Sequence, residues 1–114
     1  MNNNNGIWSM NSIAAITVCN EKAEIIYMNQ KAQSVFAKYG DDLKGQSLFD
    51  CHNAHSASII RKLLTEGGSN VYTIEKNGIR KLIHQSAWYT ETGCIGGLTE
   101  ISMEIPFDMP HFIR

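Results

Sequence analysis

Between Ile13 and Phe36 the chain passes from one apolar run through a polar break to a second apolar run, and then to apolar residues at helical spacing. Ile13, Ile16 and Val18 predict a strand, Asn20-Glu21-Lys22-Ala23 a turn, and Ile25-Ile26-Tyr27-Met28 a second strand. Asn29 stands where a helix cap is needed. Its side chain accepts from an otherwise unpaired amide of the first turn, and Ala32, Val35, Phe36 and Tyr39 follow at helical spacing before Gly40 stops the helix. Ala23 lacks glycine's access to positive φ, which leaves the turn type open.

Farther on, Asp41 to Asp50 reads as a loop with apolar points at Leu43, Leu48 and Phe49. A second helix is predicted from Asn53 to Glu66. Ile59, Ile60, Leu63 and Leu64 form one face, Arg61, Lys62 and Glu66 the other, and Gly67-Gly68 the end. Asn53, Ser56 and Ser58 all qualify as its cap. Three strands follow, at 70–76, 79–89 and 94–105, joined by Asn77-Gly78, a strong hairpin signal, and by Thr90-Glu91-Thr92-Gly93. In the strand 79–89, Ile79, Ile83 and Ala87 share one parity and Leu82, His84 and Trp88 the other, so both faces should be partly covered. Pro106 and Pro110 then prevent a helix from running straight on.

The order of strand, turn, strand and asparagine-capped helix resembles the opening of a PAS domain, a small sensory module. The resemblance extends over most of the chain. The loop around Leu43, Gly45 and Leu48-Phe49 is similar to the family's, and Gly96-Gly97 with Glu100-Ile101-Ser102 looks like a conservative version of the Asp-Ile-Thr closing triplet and its preceding glycines. An Asp and a Gly usual around the first turn are replaced by Asn20 and Ala23. The resemblance implies an α/β (α+β) PAS fold: a five-stranded antiparallel sheet, its first two strands in the middle, with a helical cap on one face. Residues 1–10 would form a disordered or short leading segment, 11–105 the domain and 106–114 a tail. Leading segments of this kind often join a dimer interface. Either that or closure of its own core would account for Trp8.

With 114 residues there is room for one core and no separate catalytic module, so output must pass to a partner. Ten basic against eleven acidic residues, with the basic ones no denser than Arg61-Lys62 and Arg80-Lys81, argue against a nucleic-acid footprint. No apolar run reaches the ~20 residues that span a bilayer and the start has no secretory pattern, which makes the cytoplasm the expected compartment. Cys19, Cys51 and Cys94, odd in number and widely spaced, read as reduced thiols in or near the core. Met1 and the tail beyond Ser102 favour a natural start.

Candidate chemistry concentrates in Asp50-Cys51-His52-Asn53-Ala54-His55. Cys51, His52 and His55 could hold a metal only if the turn brought all three inward, and spacing does not require that; no metal site is expected. The stretch His55-Ser56-Ala57-Ser58-Ile59-Ile60-Arg61 is similar to one in oxygen-sensing haem PAS domains, which makes His55 on a haem iron an alternative; it ranks below an exposed histidine at a helix start. Cys51-His52-Asn53 does not match the Asn-Cys-Arg-Phe-Leu-Gln motif of flavin light sensors, so covalent flavin light chemistry is not expected, and the motif leaves non-covalent flavin open. His52 belongs to a variant Asp-Cys-His loop of small PAS proteins, where a structural hydrogen bond is the ordinary role. No nucleophile elbow, phosphate loop or His-Glu-x-x-His motif is present, and the carboxylates Asp41-Asp42 and Glu100 with Glu104 should lie on solvated surfaces.

The resulting expectation is a non-enzymatic homodimeric sensor that binds a small molecule, or an effector protein in cis or in trans. Its cavity would be lined by Phe36, Leu48, Phe49, Ile59, Ile60 and Leu63, with His55 as the polar contact. The alternatives are the haem sensor and a ligand-free dimerisation module.

Overall fold

The structure is a computed structural model that describes residues 6–40 and 42–114, without the side chain of Cys51. The expected disorder of the Asn-rich start concerns residues 1–5, which lie outside the described residues, as does Asp41. Helix α1 (Ile7–Met10) leads into strands β1 (Ala15–Asn20) and β2 (Ile25–Met28), helix α2 (Gln30–Val35) and helix α3 (Ala54–Glu66). Strands β3 (Ser69–Lys76), β4 (Ile79–Tyr89) and β5 (Ile95–Ile105) complete one antiparallel sheet in the order β2-β1-β5-β4-β3.

The five-stranded antiparallel sheet agrees with expectation, but the middle position for both early strands does not. β5 is central, β1 lies beside it, and β2 is an edge. That edge is covered by the loop before α3. Ile25 N donates to Gln46 O at 2.9 Å, Gly45 N to Ile25 O at 2.7 Å and Leu48 N to Ala23 O at 2.7 Å. A loop that occupies the unpaired groups of an edge strand removes a site for unwanted pairing.

The turn left open resolves with Ala23 at φ 61, fully buried. Asn20 closes it: its Oδ1 accepts from Lys22 N and Glu24 N, each at 3.0 Å, and its backbone carbonyl accepts from Ala23 N. A local hydrogen-bonded turn and a buried methyl thus hold an alanine in a region that glycine would occupy more cheaply.

Asn29 does more than cap α2. Its Oδ1 accepts from Ala32 N and from Ile16 N, both at 2.9 Å, while its Nδ2 donates to Ser9 O and Ala14 O, both at 2.8 Å. One fully buried amide therefore ties α1, the entry to β1 and α2 together. The core lies on the same side as α2 and α3, where Ala15, Cys19, Ile25, Met28 and Leu98 of the sheet meet Ala32, Ile60 and Leu63 of the helices. Val35 and Tyr39 of the predicted stripe are exposed, because α2 ends at Val35 and passes into a short 3₁₀ turn, Ala37–Tyr39.

The other face of the sheet carries the second parity of β4. There Trp88 reaches across β5 and donates its Nε1–H to Cys19 O at 3.0 Å. Gly96 and Gly97 make this possible, since a Cβ at either position would run into the indole, and at Gly97 also into the Cys19 carbonyl. Leu82 and His84 on this face are half-buried, and Val71 and Met103 are exposed. Helix α1 forms but does not bury its tryptophan: Trp8 is 76% exposed, so it does not close its own core.

Candidate functional site

The register of four strands places Thr17, Glu100, Gln85 and Asn70 in one row across the cap side of the sheet. Three of them are joined. Asn70 Nδ2 donates to Gln85 Oε1 at 3.0 Å, and Gln85 Nε2 donates to Glu100 Oε2 at 2.7 Å. The same carboxylate oxygen stands 3.6 Å from His52 Nε2, and His52 Nδ1 lies 2.8 Å from Leu48 O. His52 is held there by the 3₁₀ turn Leu48–Cys51, whose cap Ser47 accepts from Phe49 N, and by the start of α3, where Asn53 accepts from Ser56 N at 2.8 Å.

Both side chains of the His52–Glu100 pair are only 12% exposed. Burial by itself would lower the His52 pKa, but the Glu100 carboxylate and the Leu48 carbonyl outweigh it and the pKa is raised. Burial would likewise raise Glu100; the bonds from His52 and Gln85 outweigh that and lower it. Both ring nitrogens of His52 face acceptors, which is the arrangement of an imidazolium. Tyr72 on the next row of β3 has its hydroxyl pKa raised, first by burial and then by the Glu100 charge.

Beside this row lies a half-open cleft of about 320 Å³, lined by His55, Ser56 and Ile59 of α3 and by Asn70, Tyr72 and Gln85 of the sheet. It carries no formal charge when His55 is neutral. Asn70 and Gln85 thus belong both to the cleft wall and to the buried chain that ends at the turn before α3. A second recess of about 240 Å³, between Lys31 and Val35 of α2 and the far end of the sheet, has no such buried polar chain.

No protein-family model matches the sequence, and no curated protein matches it. Solved structures do. The VqmA dimer of Vibrio cholerae, described in the absence of its target DNA, superimposes with a TM-score of 0.68 at 13% identity, covering 88% of this chain and 49% of that one. The PAS domain of histidine kinase ThkA superimposes with a TM-score of 0.65 at 16% identity, covering 78% of this chain and 96% of that one. The chain has the PAS fold. The Aer2 receptor of Vibrio cholerae, described as a dual PAS-haem oxygen sensor, gives a TM-score of 0.59 at 16% identity, covering 82% and 95%. The chain spans about half the length of VqmA, which has also been solved bound to DPO.

Within the PAS fold the expected cavity residues are divided. His55 and Ile59 line the cleft; Leu48, Ile60 and Leu63 lie in the closed core, and Phe36 and Phe49 pack against it, with Arg61 4.6 Å above the Phe49 ring. Of these core residues, Leu63 also edges an adjoining groove. His52 makes the expected structural hydrogen bond, but the expectation of a solvated Glu100 is overturned: its strand parity turns it under the cap, while Glu104 two rows on is exposed. Cys94 is exposed in the turn before β5 and so departs from the expected core placement, whereas Cys19 is buried with its thiol pKa raised by burial. The cleft does not fit a haem. His55 is exposed at its mouth, and the facing wall presents the amides of Asn70 and Gln85 where a porphyrin requires an apolar slot. The sequence reading missed Asn70, Gln85 and Glu100; polar residues at one parity within apolar strands were the available signal.

Proposed function

We propose that this PAS domain is a non-enzymatic sensory module that takes a small uncharged polar molecule in the cleft between α3 and β3–β4. The carrying observation is the chain from Asn70 through Gln85 and Glu100 to His52. A ligand that hydrogen-bonds the two wall amides competes with the bond Asn70 gives Gln85 and, through it, with the bond Gln85 gives the carboxylate. It thereby acts on the turn that sets the start of α3. A ligand that binds two arrangements of this chain unequally shifts their populations, and no chemical step is needed. The relay passes to a second copy across the uncovered sheet face, or to an effector protein in cis or in trans. The expected cytoplasmic setting and the absence of nucleic-acid contacts are part of this reading, supported by basic residues no denser in the sequence than Arg61-Lys62 and Arg80-Lys81.

The test is denaturing extraction of the purified protein followed by mass spectrometry, for the parent and for Ile59→Trp, which fills the cleft. A small molecule recovered from the parent and lost from Ile59→Trp supports the reading. Equal recovery from both refutes it. A second reading, a dimerisation module filled by its own side chains, is favoured by the burial of Leu48, Ile60 and Leu63; it predicts that neither protein carries anything.

A further inference from the structure

The tail Pro106–Arg114 contains no helix or strand. Pro106 and Pro110 fix φ and remove donors, which keeps it out of helix and sheet, and the chain bends at Phe107-Asp108. Among the described residues its one hydrogen bond back to the domain is at its base, where Arg80 Nη1 donates to Phe107 O at 3.1 Å and the guanidinium lies 4.7 Å above the Phe107 ring. Phe107 in that clamp is still 50% exposed, and beyond it Met109 is 55%, Phe112 67% and Ile113 94% exposed.

The tail leaves β5 at the end of the sheet where α1 enters β1, because β1 and β5 are antiparallel. Trp8 and the tail therefore lie toward one end of the sheet, and Met103, two residues before the end of β5, is on the outer face there; Val71, opposite His84, lies farther along that face on the edge strand β3. At ~150–250 Å² for a whole aromatic side chain, the exposed parts of Trp8, Phe107 and Phe112 amount to roughly 400 Å². That is about half of the ~800 Å² per partner in a standard interface. Met109, Ile113 and Met103 add to it. A surface that holds both an apolar arm and the apolar face such an arm would cover is self-complementary, as a two-fold pair requires. A net charge of −1 offers little repulsion against self-association.

We infer that the tail is an exchanged arm: in a two-fold dimer, Phe107–Ile113 of each copy lies on the outer sheet face and Trp8 of the other, with Arg80 fixing the angle at which it leaves. This rests on the reading above that the relay partner is a second copy, and makes the arm its grip.

The test is the solution mass of the full chain by light scattering at micromolar concentration, for the parent and for the double variant Met109→Asp/Phe112→Asp. Both substituted positions lie outside the core, and circular dichroism checks that the fold is kept. The expected result is twice 12.8 kDa for the parent and 12.8 kDa for the variant. A monomeric parent overturns both the arm and the two-copy relay. A variant that stays dimeric overturns the arm alone. As a second measurement, Phe112→Cys and Met103→Cys are prepared separately in a Cys51→Ser/Cys94→Ser background, mixed and oxidised. A disulfide between the two different chains is expected, and its absence while each protein is dimeric refutes the arm.

Discussion

The substitution Glu100→Gln tests whether the buried row is held by charge. It keeps the shape and the oxygen that accepts from Gln85 but removes the carboxylate facing His52. At 3.6 Å and an effective dielectric of about 20, the attraction between the two charges is about 4–5 kcal/mol. Desolvation of two groups that are almost covered cancels much of this, so the net loss should be roughly 1–3 kcal/mol. The sign follows from the two pKa directions. Glu100 is lowered, so its contribution is present above the ordinary carboxylate pKa of 4.5 and disappears as pH falls through its folded value. His52 is raised, so its contribution is complete below 6.5 and is lost as pH rises through its folded value. The pair is therefore strongest between about pH 4.5 and 6.5 and weakens on either side. Urea unfolding at pH 5.5 and pH 9 is the assay, with His52→Gln and the double variant completing a cycle. Parent stability should fall from pH 5.5 to 9, and Glu100→Gln should cost more at pH 5.5 than at 9. Equal costs at both pH values, or no coupling in the cycle, would refute a charged dyad.

Four further substitutions at three positions separate local from long-range effects, each read by urea unfolding. Asn29→Ala should lose roughly 3 kcal/mol or more, since four bonds at about 1 kcal/mol each are broken, whereas a residue that only caps α2 would cost about 1 kcal/mol. Gly97→Ala should cost about 3 kcal/mol and shift the tryptophan fluorescence, because its Cβ displaces the Trp88 indole from Cys19 O; an unchanged spectrum would contradict that packing. Ala23→Gly should stay within about 1 kcal/mol of the parent, as relief of positive φ offsets the lost methyl and the added chain entropy, while Ala23→Val should lose about 2 kcal/mol or more.

The chain by itself determined the features that depend on neighbours in sequence. Asn29 caps the helix expected of it, Asn53 proves to be the cap of α3 among the three candidates Asn53, Ser56 and Ser58, Asn77-Gly78 turns β3 into β4 with both residues at positive φ, and the parity of β4 assigns Ile83 and Leu82 to opposite faces. Those features need only an amide within reach of its own backbone, or a period of two or 3.6 residues. They were sufficient for the PAS fold. Tertiary structure decided the rest. Whether Glu100 is solvated depends on the register of four strands and on a histidine 48 positions away, and whether a tryptophan can cross a strand depends on what its neighbour lacks. The cleft likewise lies where α3 stands off from β3 and β4, with half-buried Asn70 and buried Gln85 in its wall, while the residues chosen by helical and loop periodicity went mostly into the core, since apolar side chains gain more there than at a half-open wall.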